Sequence, residues 1–270
     1  MKVSIIIPTY NRGYCIARSI DSILAQTYQD YELIIMDDGS TDQTEALVAE
    51  YMKRYPNIHY LKLPQNKGVA NARNIGMKEA RGDYIAFQDS DDYWHIDKLE
   101  KQMKAMEDVD ADYSYTYIRY KVGEEDEFVV PNPEYPLDQM NDNIFPQMLR
   151  GNYIGAPTLI MKRACYEQIG DFDVTLPALE DYDYGLRLSK TFKAAFVNEC
   201  LFEATQTEKG ITNNANNYLI ASCMLIARYK KSLIEYDEFN YRVDKLLRQA
   251  KSVGVEEQII KLLEHMLTLG

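Results

Sequence analysis

Asp83-Tyr84-Ile85-Ala86-Phe87-Gln88-Asp89-Ser90-Asp91-Asp92 sets an apolar run of strand length directly before a cluster of carboxylates. Hard divalent cations take oxygen ligands, and Mg²⁺ is commonly held by one or two carboxylates together with phosphate oxygens of a substrate. A strand ending in these acids therefore reads as a metal site for a diphosphate-bearing ligand. The pattern alone is weak evidence, because 42 acidic residues in 270 give about six acid-x-acid pairs by chance. A plainer alternative is that Ser90 or Asp92 caps a helix beginning near Ile96. Further polar sets occur at Pro8-Thr9-Tyr10-Asn11-Arg12, at Asp37-Asp38-Gly39-Ser40 and at Leu179-Glu180-Asp181-Tyr182-Asp183. Asp37 and Asp38 could cap a helix, or a carboxylate there could accept from a ring imide N–H or a ribose hydroxyl. Asn66-Lys67-Gly68, followed by Arg73 one turn into a helical pattern, suits an anion; a solvated helix face is the alternative.

The elements that position these groups follow from hydrophobic period. Strand candidates Val3–Pro8, Tyr31–Met36, Ile58–Leu63 and Tyr84–Gln88 alternate with helical patterns near Ile16–Gln26, Thr41–Arg54 and Val69–Ala80. Such alternation predicts βαβ units and a parallel sheet, whose ligands sit beyond the carboxyl ends of the strands at a topological switch point. The first, second and fourth candidate strands all place polar residues there. Ser40-Thr41-Asp42-Gln43 has the spacing of a capping box. Beyond the acid cluster the pattern changes: Asp112–Val122 alternates Tyr with polar residues, as in an antiparallel or edge strand, and Pro131 to Pro136 reads as a loop. Asn143–Arg150 and Arg163–Ile169 read as helices around a strand at Thr158–Met161. From Asn216 onward three helical patterns, separated near Tyr236 and Val253, suggest a cap or a pairing surface for a homodimer.

The formal charge of −12 argues against a nucleic-acid surface, which needs clustered Lys and Arg. Cys15, Cys165, Cys200 and Cys223 lie too far apart for a zinc or redox motif, and are expected to be buried, reduced thiols of a cytoplasmic protein. No apolar run reaches membrane-spanning length, and the apolar opening is too short for a signal peptide, so a soluble, non-secreted chain is expected.

Taken in order, Pro-Thr-Tyr-Asn-Arg, Asp-Asp-Gly-Ser-Thr-Asp, Asn-Lys-Gly-Val-Ala-Asn-Ala-Arg-Asn, Asp-Ser-Asp-Asp and Glu-Asp-Tyr-Asp resemble an inverting, non-processive family-2 glycosyltransferase of the bacterial type. The resemblance covers roughly residues 3–215. It implies an α/β GT-A fold, a Rossmann-like, mostly parallel sheet flanked by helices, here with a C-terminal helical extension. Residues 1–110 would be the nucleotide-sugar half, 111–215 the acceptor half and 216–270 the extension. The resemblance further implies a nucleotide-diphosphate-sugar donor, a divalent metal (Mn²⁺ or Mg²⁺) and a glycan or lipid-linked acceptor. Asp38 would meet the base, with Pro8, Thr9, Tyr10 and Asn11 shaping the nucleotide pocket and Lys67, Gly68 and Arg73 on the phosphate side. Asp89 and Ser90 would serve the ribose side, and Asp91 with Asp89 the metal. UDP is the first choice of carrier, since Asp38 suits an imide N–H, which thymine would also offer. Asp181 matches the position of the catalytic base, with Leu179, Tyr182 and Tyr184 as apolar walls that would raise its proton affinity; the alternative is a first-turn acid favoured by the helix dipole.

Departures from the family pattern narrow the reading. The membrane spans and the Gln-x-x-Arg-Trp motif of processive members are missing, so one or a few sugars would be added per acceptor. The late His that many GT-A enzymes give to the metal has only His265 as a counterpart, while His59 and His95 read as a strand and a helix-start residue. Thr205–Thr212 resembles the flexible loop over the diphosphate, or is an ordinary surface loop. Tyr113, Tyr115, Tyr117, Tyr120 and Tyr153 could stack on acceptor sugars, or form one face of a packed strand. Residues 228–251 carry seven Lys or Arg against four acids, which could hold the chain at the inner face of an anionic membrane, or be a solvated face. A nucleotidyltransferase and a non-catalytic nucleotide-sugar-binding subunit are the competing functions.

Overall fold

The computed structural model describes residues 2–122, 126–131, 139–205, 214–253, 260, 261, 263 and 264. Strands β1 (Val3–Thr9), β2 (Tyr31–Asp37), β3 (Ile58–Lys62) and β4 (Tyr84–Phe87) lie in the order β3-β2-β1-β4, all parallel. They are connected by α1 (Ile16–Leu24), α2 (Thr44–Arg54) and α3 (Val69–Glu79). The first two crossovers step outward from β1; α3 returns the chain to the other side of β1. The strand order thus reverses between β1 and β4, the switch point beyond whose strand ends ligands of open α/β sheets sit. Thr9 pairs with Asp37 and Ile6 with Phe87, so the chain leaves the sheet after β1, β2 and β4 at neighbouring points.

Alternate strand residues feed two layers. Val3, Ile5, Ile7, Leu33 and Ile35 pack with Ile16, Ile20 and Ile23 of α1 and Val48 of α2. Ile6, Ile34, Met36, Ile85 and Phe87 pack with Ala70, Ala72 and Met77 of α3. Burial on both faces explains why these strands read as continuous apolar runs.

The second half adds β5 (Tyr93–Trp94), α4 (Lys98–Val109), β6 (Tyr113–Val122), β7 (Asp126–Val130), α5 (Phe145–Arg150), β8 (Ile160–Lys162), α6 (Arg163–Ile169), α7 (Glu180–Thr191) and β9 (Ala194–Thr205). β8 pairs antiparallel with both β4 and β6, β6 runs parallel to β9, and β5 closes the far edge, giving a nine-stranded sheet across both halves. Helices α8 (Ala215–Arg228), α9 (Lys230–Glu235) and α10 (Phe239–Val253) follow, and Leu219, Leu225, Val243 and Leu246 pack into the cluster that holds Tyr182 and Leu186 of α7. No helix among the described residues is long and apolar enough to cross a membrane.

Several local expectations are corrected. For residues 113–122 the edge-strand reading is ruled out and the antiparallel one holds: the strand is interior, antiparallel to β7 and β8 and parallel to β9, with Tyr113 and Tyr115 fully buried and Tyr117 nearly so, as is Tyr153 beyond it. The capping box does not form. α2 starts at Thr44, whose N–H is capped by Asp42 (2.9 Å), while the Ser40 hydroxyl accepts from Asn11 N (2.8 Å). α4 begins at Lys98, so neither Ser90 nor Asp92 caps it. All four cysteines are unpaired, and only Cys165 is buried. The C-terminal helices break additionally at Tyr229. His265 and residues 206–212 of the suspected loop over the diphosphate lie outside the described residues.

Candidate active site

Beyond the ends of β1 and β2, three loops hold one another through backbone donors. Asn11, in a left-handed conformation just after β1 (φ 52°), accepts from Thr41 N (2.8 Å), and its own N–H donates to Ser40 Oγ. Asp37, fully buried, accepts from Ser40 N (2.7 Å) and from the Tyr60 hydroxyl. Asp38 accepts from Lys67 N (2.9 Å) and Gly68 N (2.7 Å), one on each oxygen. Burial raises its proton affinity, opposed by these two amide donors and seconded by Asp37. Gly68 opens α3 with φ +93°, a conformation that disfavours any other residue and points the turn's N–H groups at Asp38. Pro8 and Thr9 are buried beside this junction, and Thr9 Oγ1 has no hydrogen-bond partner among the described residues. Tyr10 and Lys67 project into solvent.

The acid loop after β4 is moored to α1: the Ser19 hydroxyl donates to Asp89 O (3.0 Å) and the Cys15 thiol to Ser90 O (3.8 Å). Arg12 reaches Asp91 (3.3 Å). Ser90 itself is buried. At the centre stands Arg73, 4% exposed on α3, whose guanidinium donates to Asp89 Oδ1 (2.9 Å) and Glu180 Oε1 (2.7 Å). One buried cation thereby ties the end of β4 to the start of α7.

Asp181 follows Glu180 and accepts from Asn152 Nδ2 (3.3 Å). Although an edge of Asp181 keeps contact with solvent, most of its surroundings are protein. Burial pushes its carboxyl up to about 7, seconded by Glu180 and opposed by Arg73. Leu179, immediately before α7, sits in the left-handed region at φ 61°, ψ 25°, a conformation costing roughly 1 kcal/mol in a non-glycine residue. That kink turns the first residues of α7 toward Arg73. Tyr182 and Tyr184 are buried behind the acid pair, and Tyr182 OH donates to Met148 O (2.6 Å).

The sequence-derived residues therefore fall into two groups. Asn11 and Asp38 converge with Lys67 and Gly68 on one wall, whereas Asp89, Arg73 and Asp181 converge with Glu180 on the other. Arg73, expected on phosphate, meets two carboxylates instead. Glu180 as its partner, Arg12 on Asp91 and Asn152 on Asp181 were not foreseen; Asn152 carried no motif at all. Asp91 and Asp89, two carboxylates on one short loop, suit a hard cation whose remaining ligands come from a diphosphate. His95, between β5 and α4, faces Glu203 (3.4 Å), and His59 lies on β3, so both keep the structural positions expected of them.

The chain matches glycosyl transferase family 2 over residues 4–168. It is 34% identical over 218 residues to the putative teichuronic acid biosynthesis glycosyltransferase TuaG of Bacillus subtilis, covering 78% of this chain and 82% of that protein. To the UDP-Glc:alpha-D-GlcNAc-diphosphoundecaprenol beta-1,3-glucosyltransferase WfaP of Escherichia coli it is 36% identical over 199 residues, 73% of this chain and 74% of that one. Among solved structures, S. aureus TarS 1–349 in complex with UDP-GlcNAc superposes with a TM-score of 0.69 at 18% identity, covering 99% of this chain and 88% of that chain.

Proposed function

This chain belongs to glycosyl transferase family 2 and is a glycosyltransferase of the GT-A fold, and on that premise we propose that it moves a single sugar from a UDP-sugar to a glycan or lipid-linked acceptor, with inversion at the anomeric carbon. The observation that carries this reading is the bridge Asp89–Arg73–Glu180, which brings a proton-accepting carboxylate, Asp181, opposite the acid loop of the donor side.

Asp38 keeps spare lone pairs after binding two amides, and these accept the imide N–H of the base. Thr9 and Asn11 line the nucleotide, and Asp89 faces the ribose. Asp91, with Asp89, would hold Mg²⁺ or Mn²⁺, which when bound neutralises charge on the departing diphosphate. The acceptor hydroxyl oxygen forms its bond to C1 as the C1–oxygen bond to the diphosphate breaks. The electron pair leaves with the nucleoside diphosphate, and the hydroxyl proton passes to Asp181. Asn152 orients that carboxylate, and the raised proton affinity suits it to accept a proton near neutrality. By analogy with WfaP, whose name specifies a diphosphoundecaprenol acceptor, a lipid-linked acceptor would place the reaction at the cytoplasmic face of a membrane.

Calorimetric titration of UDP, GDP and dTDP with Mg²⁺ or Mn²⁺, on wild type and Asp91→Ala, tests the donor half. UDP should bind with metal and weaken at least tenfold in the variant, and at about 100 times Kd it should stabilise the fold by roughly 2.7 kcal/mol. Failure of every nucleotide to bind wild type in the presence of metal would overturn the reading.

A further inference from the structure

The C-terminal helix α10 places a cluster of cations against the loop that holds Asp181. Arg242 is buried (9% exposed); it donates to Arg150 O (3.0 Å) and its guanidinium stacks over the Tyr182 ring at 5.1 Å, one residue beyond Asp181. Lys245, one turn further along, reaches the loop itself: a methyl group built on Gly151 would lie 4.0 Å from its Nζ. The next residue of that loop, Asn152, donates to Asp181. Gly151 has no side chain, so nothing of its own stands between the ammonium and the loop.

Lys245 is the uncompensated member. Arg248 is paired with Asp244 (3.1 Å), whereas Lys245 has no carboxylate partner among the described residues and only the Tyr241 ring at 6.0 Å. Lys245 is solvent-exposed, and partial desolvation of its ammonium and then repulsion from Arg242 and Arg248 lower its affinity for its proton. A chain with a formal charge of −12 could neutralise such a lysine many times over. An ammonium left crowded by like charges beside a catalytic loop is a place where an anion relieves repulsion and gains charge-assisted hydrogen bonds.

We propose that Lys245, backed by Arg242 and Arg248, is a subsite for an acidic group on the acceptor, so that the enzyme selects acceptors bearing a phosphate or carboxylate near the attacked hydroxyl. This rests on Asp181 marking the acceptor side, and it deepens the assignment above by naming the acceptor's charge.

The test titrates glucose 1-phosphate, glucuronic acid and glucose into ¹⁵N-labelled protein saturated with UDP and Mg²⁺, comparing wild type, Lys245→Gln and Asp91→Ala by nuclear magnetic resonance. At least one anionic sugar should bind wild type several-fold more tightly than glucose, shift the amides of Gly151 and Asn152, and weaken about tenfold in Lys245→Gln with an unchanged melting temperature. Preference for the phosphate or for the carboxylate then identifies the acidic group. Equal binding of glucose and both anions, or unaltered anion binding in Lys245→Gln, overturns the subsite. If UDP fails to bind, the donor assignment falls instead. The anion titration without nucleotide still decides the subsite, because loss in Lys245→Gln but not in Asp91→Ala assigns the anion to α10 and not to the acid loop.

Discussion

Asp38 and Asp181 are both carboxylates whose proton affinity is raised chiefly by burial, yet they are held in opposite ways. Asp38 is clamped by two backbone amides from a loop 29 and 30 residues away, which favour its ionised form. Asp181 receives one side-chain amide and a single backbone N–H, from Tyr182, stands next to the like charge of Glu180, and is balanced by a cation that bonds to Glu180. The wall around Asp38 thus fixes charge with rigid backbone donors, which is what the proposed recognition of a nucleotide would require. Asp181 is left with a raised proton affinity, which is what the proposed role of general base would require.

Removing the poised carboxylate is the most damaging way to break this contrast. Asp181→Asn should lose about 10³-fold in transfer while UDP binding measured by calorimetry stays within twofold. In wild type, kcat/KM should rise about tenfold per pH unit up to roughly pH 7 and then level, since the base works only when deprotonated. Stability moves the other way. A carboxyl raised by burial contributes stability in full below the ordinary carboxylate range, and that contribution is lost as pH rises through about 7. At pH 8 thermal unfolding should therefore find Asp181→Asn at least as stable as wild type; a variant that is both inactive and markedly less stable would assign Asp181 to structure.

Arg73→Met should cost about 3 kcal/mol of stability, because Asp89 and Glu180 lose the cation between them. Denaturant unfolding reads that loss, and adding Glu180→Gln should recover part of it; no recovery would mean that the guanidinium acts through packing on Phe172. The smallest effect is expected at the clamped acid. Asp38→Asn keeps one acceptor oxygen for two amides, so roughly 1 kcal/mol of stability and about tenfold in UDP affinity should go, with kcat little changed. A fall in kcat as large as that of Asp181→Asn would erase the distinction between the two carboxylates.

The same contrast explains what was legible in the sequence. The first four strands and three helices were readable to within a few residues, because each is a local apolar period punctuated by its own turn chemistry. The clustering of Asn11, Asp38 and Gly68 was readable for the same reason, since all three lie in short motifs at strand ends or at a helix start. The second half resisted. Alternation of Tyr with polar residues in β6 fits an edge strand as well as an antiparallel one packed on the core, and only the pairing with both β8 and β9 decides for the core. The bonds of Arg73 to Glu180 and of Asn74 to Phe172 span 107 and 98 residues, and no window of sequence contains both partners. Asn152 could have been found only by asking which loop ends beside α7.

The guanidinium of Arg73 also bears on how such enzymes diversify. It belongs to the first half of the chain, and one of its two counter-charges belongs to the second. The two halves are therefore not interchangeable cassettes. If the halves are the nucleotide and acceptor halves proposed, a foreign second half would have to arrive with an acid where Glu180 stands, or leave the buried Arg73 with Asp89 as its one remaining counter-charge. New acceptor preferences should then accumulate on surfaces that leave this ion pair intact, and the exposed face of α10 is one that can vary without disturbing it.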